Sequence, residues 1–176
     1  MVNPVLFFGY GNLSRGDDAL GPLLLEHIEK TSLSSQLAIL TDFQLQIEHA
    51  LDLANRELVL FVDASVSCAG AYEFVEIQPA LDKSYTTHAM SPAAVLAVYQ
   101  SIKGQVPPPS FLLSIKGESF ELGDGLSADA QNHLQQASQF ADQLLERTSL
   151  NQWRKLASTG RESLGKHPID HLKSHA

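Results

Sequence analysis

The 176-residue sequence has a single cysteine, Cys68, which excludes an intramolecular disulfide and any zinc site built on paired cysteines. Basic residues are scarce: 12 Lys plus Arg face 20 Asp plus Glu, a formal net charge of −8. No basic stripe is available to neutralise phosphates, so nucleic acid and anionic membrane surfaces are poor partners. Long apolar runs are missing, and none approaches the ~20 residues a membrane helix needs. The opening stretch MVNPVLFFGYGN has no basic segment before its apolar residues and no small-residue cleavage site, so it does not read as a signal peptide. No GxSxG elbow occurs, nor a GxxxxGK[ST] phosphate loop. Gly9-Tyr10-Gly11 begins a dinucleotide fingerprint, but Ser14 stands where its third glycine belongs. What remains is an expected single-domain, cytoplasmic protein.

Apolar residues make up 44% of the chain, enough for a real core. They fall into short runs alternating with helical stripes. Val5–Phe8 reads as a buried strand ending at Gly9, followed by a glycine-punctuated loop to Gly16. Leu20, Leu24 and Ile28 share a helical face, with Pro22 in its first turn. Leu37–Leu40 predicts a second strand closed by Thr41-Asp42, and Ile47, Ala50, Leu51 and Ala54 a short helix. Leu58–Val62 reads as a strand buried on both faces, ending at Asp63. Tyr72, Phe74, Val75 and Ile77 alternate partly with Glu73 and Glu76, as near a sheet edge.

Ser91-Pro92 opens a helix whose apolar face is Val95, Tyr99 and Ile102, stopped by Gly104 and Pro107–Pro109. Phe111–Ile115 is the fifth strand, and Ser127 caps a long helix striped with Ala130, Leu134, Ala137, Ala141 and Leu144. The alternation predicts an α/β fold, a three-layer α/β/α sandwich around a mostly parallel, five-stranded twisted sheet spanning residues 1–150. Residues 151–176 read as a polar, mobile tail, which takes His167, His171 and His175 with it.

Ligands of open α/β sheets bind beyond the carboxyl ends of the strands. Three polar features are predicted there: the loop Gly9–Asp18, Asp63, and Thr86-Thr87-His88 before the Ser91 helix. Two carboxylates and an imidazole meeting at one sheet edge can bind a transition metal or position a water. Each has a plainer reading. Asp17 or Asp18 can simply cap a helix start, and His88 can be loop surface. Asp63 is harder to dismiss, because a carboxylate ending a buried strand loses solvation unless something offsets it. Cys68 has no helix start or basic neighbour to activate it and reads as an inert small apolar residue.

These residues also carry a family resemblance. Gly9-Tyr10-Gly11-Asn12 followed by Asp17-Asp18-Ala19-Leu20-Gly21 resembles the N-terminal signature of the NiFe-hydrogenase maturation endopeptidases. Asp63-Ala64, the segment Thr87–Pro92 and the stretch Gly117–Ser127 are similar to that family's later motifs, in the same order. The likeness covers roughly residues 4–147. It implies a cytoplasmic endopeptidase that removes the C-terminal extension of a NiFe-hydrogenase large-subunit precursor after nickel insertion. It carries the family's catalytic and metal-contacting residues onto Asp18, Asp63 and His88.

The nickel would be supplied by the precursor rather than held by the free enzyme, acting as a recognition element beside a hydrolytic water. Where several members have Asp-Gly-Gly, this chain reads Asp42-Phe43-Gln44-Leu45, a form similar to members serving soluble or bidirectional NAD-linked hydrogenases. Two rival readings stand beside this one: a conventional metallohydrolase with its own bound metal in the same three residues, and a non-cleaving assembly chaperone.

Overall fold

The computed structural model describes residues 2–81 and 90–165. Five strands form one sheet: β1 (Val5–Tyr10), β2 (Ala38–Asp42), β3 (Leu58–Ser65), β4 (Tyr72–Ile77) and β5 (Ser110–Lys116). Their order is β2-β1-β3-β5-β4; β2, β1, β3 and β5 run parallel, and β4 joins β5 antiparallel at one edge. The chain leaves β1 for β2 on one side and returns to β3 on the other. That reversal opens a crevice at the carboxyl ends of β1 and β3.

The helices are α1 (Leu20–Glu29), α2 (Pro92–Lys103), α3 (Ala128–Glu146) and α4 (Leu150–Gly165). The helix expected near Ile47 is a 3-10 helix, Ile47–Leu53. On one face of the sheet Phe7, Leu60, Val62, Phe111 and Leu113 pack with Leu24 and Ile28 of α1 and Ala137 and Leu144 of α3. On the other, Leu6, Phe8, Val59 and Phe61 pack with Leu53, Val95 and Tyr99. β1 and β3 are thus apolar on both sides because both sides are covered. The three layers and the five-stranded sheet are as the sequence predicts. Ser91 and Ser127 cap α2 and α3 through their hydroxyls, accepting from the Ala94 and Ala130 N–H groups.

The expected tail from residue 151 needs correction. α4 runs through this stretch, and Trp153 and Ala157 are buried in the core. The Trp153 ring meets Phe111 and Phe7 edge-on at centroid distances of 5.4 and 5.8 Å. Its Nε1–H is shared between the Leu144 and Arg147 carbonyls at 3.2 and 3.1 Å, so the indole is buried without an orphaned donor. The folded unit therefore extends past residue 150. His167, His171 and His175 lie outside the described residues.

Candidate functional site

The loop from Tyr10 to Asp18 crosses the carboxyl ends of β1 and β3, and two glycines let it sit there. Gly11 has φ +149°, and a Cβ on it would stand 1.9 Å from the Asp18 carbonyl oxygen. Gly21, in the first turn of α1, lies so close to the strand ends that a Cβ would reach 2.6 Å from the Val62 carbonyl. The loop is thereby folded back on itself, and the Asn12 N–H donates to Asp18 Oδ2 at 2.7 Å.

Neither aspartate of the pair caps α1. Asp17 is fully buried and reaches across to the segment after β5. Its carboxylate accepts the Glu118, Ser119 and Ser127 N–H groups and the Ser127 hydroxyl, at 2.8 to 3.0 Å. Burial pushes the Asp17 carboxyl up, but these donors outweigh it and hold it below the usual carboxylate range. With Asp17 N–H to Ser119 O and Gly16 N–H to Asp124 O, it clasps the two loops together. Asp17 is structural; Asp18 is the member of the pair left at the crevice.

Asp63 is the sixth residue of β3, which continues to Ser65, so it sits inside the strand end rather than just past it. The Tyr10 hydroxyl donates to its Oδ2 at 2.8 Å, while Oδ1 is buried with no hydrogen-bond partner among the described residues. Burial pushes the Asp63 carboxyl up to about 6; the Tyr10 and Ser114 hydroxyls pull it down, and the Asp18 charge adds to the rise. The same surroundings hold the Tyr10 phenol well above its ordinary value, burial first and the Asp63 charge second.

Asp18, Asp63 and Tyr10 thus form one electrostatically coupled group at the sheet edge. His88 lies outside the described residues. Among the described residues no group of three His, Cys, Asp or Glu side chains is arranged to hold a metal ion. Within the pair, Asp63 Oδ1 is the buried oxygen left without a hydrogen-bond partner among the described residues. Cys68 is buried, with Sγ 3.5 Å from the Ser114 carbonyl and its thiol pushed up to about 11, chiefly by burial. A thiol so placed stays protonated and unreactive.

Two residues of this edge escape a motif search. Tyr10 stands between Gly9 and Gly11, and only the fold shows its hydroxyl on Asp63. Asp42 ends β2, opposite Tyr10 in register, and pairs with His49 seven residues on. The signal available for Asp42 was its position at a strand's carboxyl end, the same signal that singled out Asp63.

The architecture is that of a group of solved peptidase structures. The NiFe hydrogenase maturation protease HycI from Thermococcus kodakarensis matches with a TM-score of 0.62 at 22% identity, covering 82% of this chain and 94% of its own. The hydrogenase maturating endopeptidase HybD from E. coli gives 0.61 at 24% identity, covering 83% and 93%. An endopeptidase from Escherichia coli gives 0.63 at 24% identity, covering 80% and 90%. At these identities the likeness is one of fold. No protein-family model matches the sequence, nor does any curated protein. No helix among the described residues is long and apolar enough to cross a membrane.

Proposed function

We propose that this protein is a cytoplasmic endopeptidase that removes the C-terminal extension of a NiFe-hydrogenase large-subunit precursor after nickel insertion. The observation that supports it most is the Asp63 carboxylate, buried beside Asp18 with Oδ1 unpartnered among the described residues. A buried acceptor without a donor is costly unless a ligand completes it. Solved structures named as hydrogenase maturation proteases share the fold around this pair.

Asp18 and Asp63 supply two oxygen donors, and the resemblance adds the His88 imidazole. Three such ligands bind free metal weakly and suit an ion that brings the rest of its ligands with it. The nickel is therefore part of the substrate. Engaging it fixes the precursor's scissile peptide at the crevice, where a water is activated by a carboxylate or by the precursor's own metal. No covalent nucleophile is needed. The Asp42-Phe43-Gln44-Leu45 sequence favours the precursor of a soluble or bidirectional NAD-linked hydrogenase.

The test is incubation with nickel-loaded and nickel-free precursor, with the large subunit's mass as readout. Only the loaded form should shorten. Cleavage of both by a preparation that carries its own bound metal would mean a conventional metallohydrolase. Binding of precursor with no mass change would mean an assembly chaperone.

A further inference from the structure

Asp42 is a third carboxylate at this sheet edge, and the site above does not use it. Its carboxylate is held from two sides. Oδ1 accepts the Phe43 N–H at 2.6 Å, and Oδ2 lies 3.1 Å from His49 Nε2. The other imidazole nitrogen fixes the tautomer: Nδ1 is 2.8 Å from the Gln46 backbone nitrogen, which can only donate. Nδ1 therefore accepts, and Nε2 carries the hydrogen that goes to Asp42. The ring itself is packed edge-on against Phe8 at 4.7 Å, with 11% of the side chain exposed. Capping the 3-10 helix needs only Nδ1, so the Nε2 bond to Asp42 is a separate feature.

Asp42 stands in the wall of a cleft of about 260 Å³ lined also by Gly11, Leu13, Pro22, Thr41 and Phe43. Leu13 and Phe43 are large apolar side chains left mostly exposed at its mouth. Among the described residues no lysine or arginine pairs with Asp42. Each oxygen keeps a lone pair beyond the bond it already accepts, in a plane set by two fixed donors. Apolar walls around one oriented carboxylate, with no lysine or arginine on it among the described residues, suit an ammonium or guanidinium on an aliphatic stem.

We propose that this cleft is a subsite for a lysine or arginine side chain of the bound polypeptide, and that His49 is the positioning residue that aims Asp42 at it. That the occupant belongs to a substrate polypeptide rests on the endopeptidase reading; the cleft's preference for a cation does not.

The experiment titrates the full-length, nitrogen-15-labelled protein with Nα-acetyl-arginine methylamide, its lysine counterpart, and its citrulline counterpart, a neutral near-isostere of arginine. The Gly11, Thr41 and Phe43 amides should shift saturably with arginine and lysine, and at least tenfold more weakly with citrulline. Asp42→Asn should abolish the preference. His49→Ala should weaken arginine binding about five- to tenfold with distant amides unmoved, and His49→Gln, which keeps a donor, should recover part of it.

An equal response to citrulline, no response at all, or arginine binding that survives Asp42→Asn would overturn the proposal. Should His49→Ala not fold, the citrulline comparison and Asp42→Asn decide the subsite, and His49→Gln decides the positioning role. No cleavage is measured, so a precursor that is never cut sinks the endopeptidase reading and leaves this result standing. With a cleaved precursor, His49→Ala should raise KM by a larger factor than it lowers kcat.

Discussion

Asp17 and Asp63 are aspartates two strands apart in the chain with opposite electrostatic fates, and each fate is measurable. Asp63 binds its proton more tightly folded than unfolded. Its contribution to stability is therefore fully present below the ordinary carboxylate range and is lost as pH rises toward about 6. Asp63→Asn should be more stable than the parent above pH 6 by roughly 2–3 kcal/mol, with the gain fading to nothing near pH 4. Urea melts at pH 7.5, 5 and 4 check this; destabilisation at pH 7.5 would make Asp63 a structural residue. Asp17 runs the other way. Held below the usual range, it stabilises above that range and is lost as pH falls through its folded value. Asp17→Ala strands three backbone N–H groups, so a loss of about 2–4 kcal/mol is expected in the same melts at neutral pH. Position and residue type alone leave the Asp17-Asp18 pair undivided; only the family resemblance singles out Asp18, and it says nothing of Asp17 as a clasp. What divides it is contact with a loop a hundred residues away.

Among the elements, the alternation of strands and stripes made the sheet and α1 to α3 legible, because burial on both faces leaves uninterrupted apolar runs. α4 was not legible for a reason of amount. Leu150, Trp153 and Ala157 do fall at spacings of three and four, but they are few among polar neighbours. The largest fully buried side chain is one tryptophan, and a periodicity reading weights it no more than an alanine. Truncation after Leu150 should therefore cost several kcal/mol, and Trp153→Ala alone about 3–5 kcal/mol. Thermal melts of both variants test this, and a truncated protein that melts like the parent would return α4 to the status of an appendage. The short helix that Ile47, Ala50, Leu51 and Ala54 predict is present as the 3-10 helix Ile47–Leu53; what their spacing does not show is its Gln46–His49 capping box, which uses residue types that a search for Ser, Thr or Asp caps passes over.

At the scale of the molecule, Asp18, Asp63 and Tyr10 gather at the carboxyl ends of β1 and β3, and neither aspartate belongs to the two apolar cores. Activity and folding should therefore separate. Asp18→Asn and His88→Ala are each expected to abolish shortening of nickel-loaded precursor, read by mass, while melting within about 1 kcal/mol of the parent. Wild-type processing by His88→Ala would leave the proposed site to the two aspartates. The single tryptophan sits on the last described helix, against three phenylalanines and away from bulk water. The molecule thus contains one native indole fluorophore, placed where only the docking of α4 sets its emission. A blue-shifted spectrum reports the helix seated, and a red shift without loss of far-ultraviolet ellipticity reports it lifted from an otherwise intact sheet. Precursor binding at the crevice should leave that emission unchanged, so intrinsic fluorescence can follow the helix while mass follows the reaction.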